Sequence, residues 1–489
     1  MSARSASRET PNLLLIVTDQ QARSTLAAYG NDRIQVPRMN ALAERSTVFH
    51  RAYCAQPVCG PARACLYTGT WPHYNGQVTL GRHPMHDHIP CLTDLLDDRW
   101  VCGFFGRSGS HRYADGPAPR AGGIDELDFN DIAPDHLLRA HGLTPVDGVR
   151  FGKADRPAVP EHLGGPSNVA AKACDFIRRH AGRPFALTLC FYEPHDPLSG
   201  PLDDLHPFDQ VPLPDNWHHP PGPDQPRKAL LEHLSVLHHR KDGIALRSEL
   251  AWRLLIQRYW GLCTQVDRAL DRVFDQLDAS GAADDTLVIL TADHGELAGS
   301  HQLFGKNLMY EESIGVPLLI SRPGQRRDRH VHAPVGHVDI VPTVLDELGV
   351  AAPDHLQGTS LTPWLDGAAP PPRPAFVEWT DINYLVHEDL KRDPLPEYLA
   401  EVTTREAGLA DLADAVRCIV TPEGWKYCLS PAGQHELYDL NDDPGETANL
   451  AFRPEHAERC RDLTTRIRDW QVATGDTEVG STEAERHGG

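Results

Sequence analysis

The sequence predicts an α/β fold with a large, mostly parallel central sheet flanked by helices. Three apolar segments have the length of buried strands, and each of them is followed by polar residues: 12–17, 185–191 and 286–290. Helical patterns lie between these segments, most clearly at residues 171–180 and 248–277. Strand and helix signals that alternate along a chain are typical of a parallel sheet with helices on its faces.

A smaller C-terminal α+β domain with a short antiparallel sheet is predicted beyond residue 367. Four of the seven residues in 368–374 are prolines, which is typical of a linker. Four short strand patterns and one helical pattern follow, at 375–379, 416–421, 426–429, 436–439 and 454–474. We therefore expect a large α/β domain over residues 1–367, a small domain over 368–480 and a polar tail over 481–489. Disorder is expected to begin at Gly475, where the sequence becomes polar.

The charge of the chain limits its partners. The formal net charge is -21 at pH 7 over 489 residues, so the long-range electrostatic field would repel nucleic acid and anionic membranes. A small anionic substrate is still compatible with this charge, because a basic pocket or a bound metal dominates at short range. No apolar segment approaches the ~18 residues that a membrane-spanning helix needs. We therefore expect neither nucleic acid nor a membrane as a partner.

Two features favour a cytoplasmic location. The first apolar segment, residues 13–17, is too short for the core of a signal peptide and is soon followed by Asp19. The eleven cysteines are an odd number without the spacing of a disulfide framework, which is typical of a reducing compartment.

Polar side chains follow all three predicted strands of the large domain. Asp19, His195 and Asp293 come directly after these strands, with Gln20 and His294 beside the two aspartates. Because ligands bind at the carboxyl ends of parallel strands, we expect these side chains to meet at one edge of the sheet. Residues 198–227, rich in Pro, Asp and His, read as a long surface loop beside this edge, and such loops are often binding lids.

Cys59 lies in the stretch Cys-Gly-Pro-Ala-Arg. Most cysteines are buried apolar residues, and a metal cluster with Cys54 and Cys65 is the other ordinary interpretation. The spacing of these three cysteines is not that of a zinc knuckle, however. Pro61 is well placed in the first turn of a helix, so Cys59 would stand at a helix N-terminus, where an oxyanion is favoured.

The segment around Cys59 resembles the signature of the type I sulfatases of the alkaline phosphatase superfamily, Cys-x-Pro-x-Arg-x4-Thr-Gly. Each fixed position is present, as Cys59, Pro61, Arg63, Thr68 and Gly69. The resemblance covers most of the chain, as far as residues 437–440. It implies that a maturation enzyme oxidises Cys59 to formylglycine, whose hydrate supplies the nucleophilic hydroxyl, and that residues 1–367 form the catalytic domain.

The resemblance also implies a divalent metal. Its ligands would be Asp19, Gln20, Asp293 and His294, with an oxygen of the modified Cys59 as a fifth. Many sulfatases bind Ca2+ with three aspartates and an asparagine, whereas Gln20 and His294 stand at two of those positions here. Ca2+ is our first expectation, and Mn2+ or Mg2+ is the alternative, because a nitrogen donor makes the site less exclusively suited to hard cations. The same two replacements resemble the phosphonate monoester hydrolases of the superfamily.

The remaining site residues are implied by the resemblance. Lys306 matches a lysine that contacts the sulfuryl oxygens, His195 a histidine near the leaving-group oxygen, and Arg63 the arginine that holds the nucleophile. One departure concerns the Gly-Lys-x-His that sulfatases carry after a strand, in place of which this chain has Gly-Arg-Ser-Gly-Ser-His at residues 106–111. Arg107 and His111 either take over substrate binding or are ordinary loop residues.

The sequence therefore predicts a hydrolase of small-molecule sulfate esters. The alternative is a phosphonate monoester or phosphodiester hydrolase that uses the same site, because a phosphoryl centre is also attacked in line and is also stabilised by a metal and cations. An inactive binding relative is a third possibility, which the retained Cys59, Arg63 and Lys306 disfavour.

Overall fold

A computed structural model of the chain describes residues 10–80, 84–107, 124–128, 140, 159–381 and 385–477. The strands of these residues are β1 (Asn12–Asp19), β2 (Thr47–Phe49), β3 (Ala52–Tyr53), β4 (Val101–Gly106), β5 (Glu126–Asp128), β6 (Phe185–Pro194), β7 (Arg240–Lys241), β8 (Ile244–Ala245), β9 (Thr286–Ala292), β10 (Leu318–Ser321), β11 (Arg329–Val331), β12 (Val335–Gly336), β13 (Ala375–Glu378), β14 (Arg417–Val420), β15 (Trp425–Leu429) and β16 (Glu436–Asp439).

The α-helices of the described residues differ widely in length. They are α1 (Pro37–Ala43), α2 (Cys59–Thr68), α3 (Pro72–Asn75), α4 (Leu92–Leu95), α5 (Gly165–His180), α6 (Arg227–His238), α7 (Glu249–Ala279), α8 (Glu311–Ile314), α9 (Ile340–Glu347), α10 (Thr362–Leu365), α11 (Leu385–Leu390), α12 (Glu397–Ala400), α13 (Arg405–Leu412) and α14 (Ala457–Thr474).

The large sheet has eight strands in the order β11-β2-β10-β9-β1-β6-β4-β5. Every neighbouring pair is parallel except the two pairs that β10 makes with β9 and β2. The three strands predicted from apolar segments are therefore β1, β6 and β9, and they lie side by side at the centre of the sheet. The predicted α/β class is confirmed.

β1 has apolar side chains on both faces because both faces are covered. Successive side chains of a strand point in opposite directions. Leu13, Leu15 and Val17 accordingly enter one core, while Leu14 and Ile16 enter a second core together with apolar residues of α5 and α7. Burial on both faces explains why the central strands read as continuous apolar segments and not as alternating ones.

The C-terminal antiparallel sheet is also confirmed. β13, β14, β15 and β16 pair in sequence order, and α14 packs against β14 and β15. The sheet is tied to the large domain, since Glu378 N donates a hydrogen bond of 2.8 Å to Ala55 O. The expected domain boundary at residues 367/368 remains a prediction.

The expectation of disorder from Gly475 is wrong for Asp476. Arg417, on β14, donates hydrogen bonds of 2.6 Å and 3.0 Å to the two carboxylate oxygens of Asp476. Both side chains are completely buried. A buried guanidinium needs an anionic partner, and the polar composition of the tail concealed this one.

None of the helices in the described residues is both long enough and apolar enough to cross a bilayer.

Replacing Asp476 by alanine is expected to destabilise the protein by about 3–5 kcal/mol at pH 7, because the Arg417 charge would stay buried without its partner. Burial alone would raise the pKa of Asp476, but the bonds from Arg417 lower it to about 2. The depressed pKa means that the pair's contribution is complete above the ordinary aspartate value of 3.8 and is lost as the pH falls through about 2. Thermal unfolding of both proteins at several pH values measures this.

The control for this prediction is Asp469→Ala, which removes an exposed carboxylate from α14. It should change stability by less than about 0.5 kcal/mol. A difference between wild type and Asp476→Ala that does not shrink towards low pH would contradict the ion-pair explanation.

Candidate active site

The site lies where β1, β6 and β9 end. Thr18 pairs with Ala292 and Asp19 with Pro194, so the three strands finish at the same level of the sheet. Asp19 is the last residue of β1, and Asp293 and His195 directly follow β9 and β6. The predicted meeting of these side chains at one edge is what the described structure shows.

Cys59 is the first residue of α2, a helix in which every residue is buried. Its Sγ atom lies 3.4 Å from Asp19 Oδ1 and 3.2 Å from His294 Nε2. The helix N-terminus carries partial positive charge, which favours an oxyanion at this position.

Four side chains could hold a metal ion together. One ligand atom from each of Asp19, Cys59, Asp293 and His294 lies within 4.8 Å of the others, and all four residues are buried. The carboxylate oxygens that face this group are Oδ1 of Asp19 and Oδ1 of Asp293, which lie 3.8 Å and 3.6 Å from His294 Nε2. Two carboxylates and an imidazole in this arrangement fit a divalent metal.

His294 is prepared for metal binding by its surroundings. Burial lowers the pKa of its imidazole, which favours the neutral form that a metal requires. Its Nδ1 lies 3.0 Å from Gly295 O, and a carbonyl can only accept, so Nδ1 carries the proton. Nε2 is thereby left as the ligand atom facing Cys59 and Asp19, an arrangement that is common for histidine ligands.

Gln20 is placed beside the carboxylates but is already engaged. Its backbone N–H donates a 2.9 Å hydrogen bond to Asp293 Oδ1, with the backbone in the left-handed region at a φ of 67°. Its side-chain oxygen accepts a hydrogen bond from Lys306 Nζ, and its side-chain NH2 group donates to Glu296. The expected metal ligand is thus also a bridge between two side chains, and its role as a ligand remains a prediction.

Glu296 was missed as a site residue, although it lies in the stretch Asp293-His294-Gly295-Glu296. Its Oε1 accepts hydrogen bonds from Ala298 N at 2.8 Å and Gly305 N at 2.7 Å. Burial raises its pKa to about 7. The carboxyl group fixes both the amide of Gln20 and the turn that precedes Lys306. A carboxylate three residues after a metal-ligand aspartate at a strand end is the signal that could have identified it.

Gly295 permits a close approach of two backbone segments. A Cβ atom here would lie 2.0 Å from Glu312 O and 2.8 Å from Gly315 O. Only a glycine therefore lets α8 pack against the turn that carries Asp293 and His294.

Arg63 holds the two carboxylates in place. Its Nε donates to Asp293 Oδ2 at 2.8 Å, its Nη2 lies 3.2 Å from Asp19 Oδ2, and its Nη1 donates to Arg107 O at 2.6 Å. The side chains of Arg63, Asp19 and Asp293 are completely buried, whereas that of Arg107 is 25% exposed. Burial works against the charge, but Asp293 and Asp19 raise the pKa of Arg63 well above its ordinary value, so the guanidinium stays protonated.

Lys306 and His195 contact each other at the mouth of the site. Lys306 Nζ lies 2.9 Å from His195 Nε2. Burial acts against the ammonium charge, yet the negative groups around it, Asp19 and Asp196 among them, raise the pKa of Lys306. Asp19 shows the opposite shift: burial alone would raise its pKa, but interactions with His195, Arg107 and Arg63 hold the pKa well below its ordinary value.

Arg107 reaches the site from the end of β4. Its Nη1 lies 3.5 Å from Asp19 Oδ2, and its guanidinium carbon lies 4.6 Å from the centre of the Tyr192 ring. The structure thus brings Arg107 to the other site residues. His111, the second residue suggested for substrate binding, lies outside the described residues.

The segment 198–227 is less exposed than a plain surface loop. Leu198, His206 and Val211 are buried, and Asn216 donates a 2.9 Å hydrogen bond to Glu312 Oε1. Two short 3-10 helices lie in it, Phe208–Gln210 and Asp215–His218. The segment is therefore packed against α8 and α7, since Gln257 of α7 also donates a hydrogen bond of 2.7 Å to His206 O.

Comparison with known proteins identifies the family. The sulfatase family matches residues 11–350. The chain is similar to the multifunctional alkaline phosphatase superfamily protein PehA of Trinickia caryophylli, with 26% identity over 95% of this chain and 96% of that protein. It is also similar to a Δ4,5-hexuronate-2-O-sulfatase of Bacteroides thetaiotaomicron, with 27% identity over 96% of this chain and 91% of that protein.

A solved structure agrees with this result. The phosphonate monoester hydrolase of Agrobacterium radiobacter superposes with a TM-score of 0.73 and 25% identity, over 95% of this chain and 96% of that one. The sequence match, the fold and the cluster around Cys59 lead to one conclusion: the chain is a hydrolase that belongs to the sulfatase family, in the alkaline phosphatase superfamily.

Proposed function

We propose that the protein hydrolyses small-molecule sulfate esters with a nucleophile made from Cys59 and a bound divalent metal. One observation carries the proposal: the Cys59 Sγ atom lies 3.2 Å from His294 Nε2 and 3.4 Å from Asp19 Oδ1, inside the group of candidate metal ligands. Sγ marks the position from which an oxygen of the formylglycine hydrate would act. A maturation enzyme must make this change, because a thiol has no hydroxyl to offer.

The metal would be held by Asp19, Asp293, His294 and the oxygen that replaces Sγ, with Gln20 as a further ligand whose amide oxygen Lys306 also contacts. We propose Ca2+ as the first choice because the carboxylates are hard oxygen ligands. Mn2+ or Mg2+ is the alternative because the nitrogen donor of His294 makes the site less exclusively suited to hard cations. When bound, the metal supplies positive charge that favours the ionised form of the attacking hydroxyl. Arg63 keeps the two carboxylates aligned for this purpose.

Two cationic side chains and an imidazole prepare the site for an anionic ester. Arg107 and Lys306 approach from two sides, and His195 stands beside Lys306. A sulfuryl group in transfer carries its negative charge on three oxygens, and fixed cations around those oxygens lower the barrier. His195 and Lys306 are also the nearest proton donors for the departing alcohol oxygen. A net charge of -21 for the whole chain is compatible with this locally cationic site.

Hydrolysis of phosphonate monoesters or phosphodiesters is the second candidate. Gln20 and His294 in the metal site favour it, as does Arg107 in place of the lysine that sulfatases carry after this strand. It is further supported by the similarity to the phosphonate monoester hydrolase of Agrobacterium radiobacter. Both kinds of ester present a tetrahedral anionic centre that is attacked in line.

A cytoplasmic location, without nucleic acid or membrane partners, is part of the proposal and rests on the sequence features given above.

The first prediction concerns the nucleophile. Protein purified from its native host should contain a Cys59 peptide whose mass corresponds to loss of H2S and gain of one oxygen, the change from thiol to aldehyde. Tandem mass spectrometry of the peptide measures this.

Cys59→Ala should lower kcat by at least about 10³-fold, because the covalent route is removed. Cys54→Ala, the same change at a buried cysteine outside the signature, is the control that should retain turnover if folding is intact. Unmodified Cys59 in active protein would refute the proposal.

The second prediction separates the two substrate classes. 4-Nitrophenyl sulfate and 4-nitrophenyl phenylphosphonate release the same phenol, so the ratio of their kcat/KM values reports on the sulfuryl or phosphoryl centre alone. We expect the sulfate to be the better substrate. A large preference for the phosphonate would establish the second candidate instead. Turnover of neither ester by protein with converted Cys59 would leave the inactive relative as the remaining interpretation.

The third prediction concerns the metal. Removal by a chelator should abolish turnover and lower the unfolding temperature, and added Ca2+ should restore both. At a free concentration 100 times its Kd, a metal that binds only the folded state stabilises it by about 2.7 kcal/mol. The stabilisation should disappear in Asp293→Asn and persist in Asp204→Asn, in which an exposed carboxylate is changed. A thermal shift that Asp293→Asn retains would contradict the site.

A further inference from the structure

Asp196 connects the candidate proton donor His195 to a second lysine. One oxygen of its carboxylate lies 3.1 Å from His195 Nδ1, and the other lies 2.7 Å from Lys241 Nζ. His195 Nδ1 is also 2.8 Å from the backbone oxygen of Asp196. Within the part of the chain that the structure describes, the acceptors recorded at Nδ1 belong to Asp196, so Nδ1 carries a proton and Nε2 is the ring atom that faces Lys306.

The lysine comes from a hairpin that is distant in sequence. Lys241 lies on β7, which pairs with β8 through a turn at Asp242 and Gly243. The turn is itself fixed to the loop after β6, since Asp242 Oδ2 accepts a 2.7 Å hydrogen bond from Leu198 N. The hairpin therefore holds the His195 loop at two points.

The same lysine also contacts the segment that carries Lys306. Lys241 Nζ lies 4.3 Å from the centre of the Phe304 ring, two residues before Lys306. Tyr192 supports the other side of the loop: its hydroxyl donates a 2.5 Å hydrogen bond to Asp196 O, and its ring lies 5.0 Å from that of His195. The His195 imidazole is thus contacted by Asp196 at Nδ1 and by the ring of Tyr192.

We propose that Asp196 and Lys241 are positioning residues, which fix His195 and Lys306 as one proton-donating unit directed at the departing oxygen of the ester. Lys306 Nζ lies 2.9 Å from His195 Nε2, so the ammonium donates a hydrogen bond to that ring nitrogen and the two groups are fixed with respect to each other. The unit gives a proton to the alkoxide or phenoxide as its bond to sulfur or phosphorus breaks, and it recovers a proton from water. Asp196 and Lys241 touch neither substrate nor metal, and they act by holding this geometry.

The ion pair between Asp196 and Lys241 keeps the carboxylate charged. Burial alone would raise the pKa of Asp196, but His195, Lys241 and Lys306 lower it below its ordinary range. A charged carboxylate behind an imidazole stabilises that ring when its other nitrogen gains a proton. Neutral replacements at position 196 remove this effect while they preserve the shape of the side chain.

The inference rests on the proposed function, and its test uses the dependence of rate on the leaving group. A series of aryl esters from 4-nitrophenyl to unsubstituted phenyl is assayed, of whichever class the wild type hydrolyses. Esters of the more basic phenols need a proton donor, whereas 4-nitrophenolate departs without help. Asp196→Asn should lower kcat for phenyl esters by about 10²-fold, with little change in KM and only a small change for 4-nitrophenyl esters. The plot of log kcat against phenol pKa becomes steeper.

Lys241 offers a graded test. Lys241→Met keeps the aliphatic chain over Phe304 but removes the charge, and it should steepen the plot in the same direction. Lys241→Arg keeps a cation and should restore most of the wild-type slope. The double variant Asp196→Asn/Lys241→Met should be little worse than Asp196→Asn alone, since both residues act through His195.

Two matched controls use the same substitutions at exposed positions, Asp204→Asn and Lys391→Met, and both should keep the wild-type slope. Unfolding temperatures of all variants show which of them are folded. An equal loss for all esters, or an unchanged slope in folded Asp196→Asn, would overturn the inference and leave the proposed function in place. A wild type that hydrolyses neither class of ester would overturn both.

Discussion

The site depends on one buried interaction, the pairing of the Arg63 guanidinium with the carboxylates of Asp19 and Asp293. Two carboxylates this close repel each other, and in a buried site neither would remain charged without compensation. Arg63 supplies that compensation from α2, the helix that also carries Cys59 one turn earlier. Cys59 and the carboxylates of the candidate metal site are thereby fixed with respect to each other by a single side chain. Because the arginine occupies one side of each carboxylate, the remaining oxygens are directed towards Cys59 and His294.

Around this centre, charged side chains of opposite sign lie next to one another. Beyond Asp19 and Asp293 come Arg107 and Lys306, and beyond Lys306 come Asp196 and Glu296, each tied to a further polar group. Burial of so many ionisable groups is unfavourable unless each has partners, and here the partners are side chains from strands far apart in sequence. Glu296 differs from the other carboxylates because its hydrogen-bond donors are neutral amides, although Lys306 is nearby. Burial raises its pKa to about 7. The arrangement constrains the geometry of the site more than it stabilises the fold.

Much of the fold and site could be predicted from the sequence because both follow from local patterns. The apolar segments 12–17, 185–191 and 286–290 identify β1, β6 and β9, and the rule that ligands bind at the carboxyl ends of such strands places Asp19, His195 and Asp293 together. The signature around Cys59 identified Arg63. Glu296 and the Lys241–Asp196 pair were missed because their roles depend on contacts across 45 residues or more, or on hydrogen bonds to backbone amides, which have no period or motif. The partner of Arg417 was concealed for the same reason, in a segment whose composition resembles a disordered tail.

The complete burial of α2 affects when the Cys59 side chain is accessible during synthesis of the chain. Cys59 makes its contact with His294 across 235 residues of chain, and His294 lies just after the end of β9, the strand next to β1 at the centre of the sheet. At a synthesis rate of about 5–20 residues per second, the ribosome needs roughly 10 to 50 seconds to add those residues. Throughout that interval the native contact between Cys59 and His294 cannot form, whereas in the folded protein Cys59 is only 2% exposed. Any enzyme that modifies this side chain therefore has its natural opportunity while the chain is still growing, and the rate of folding competes with the rate of modification.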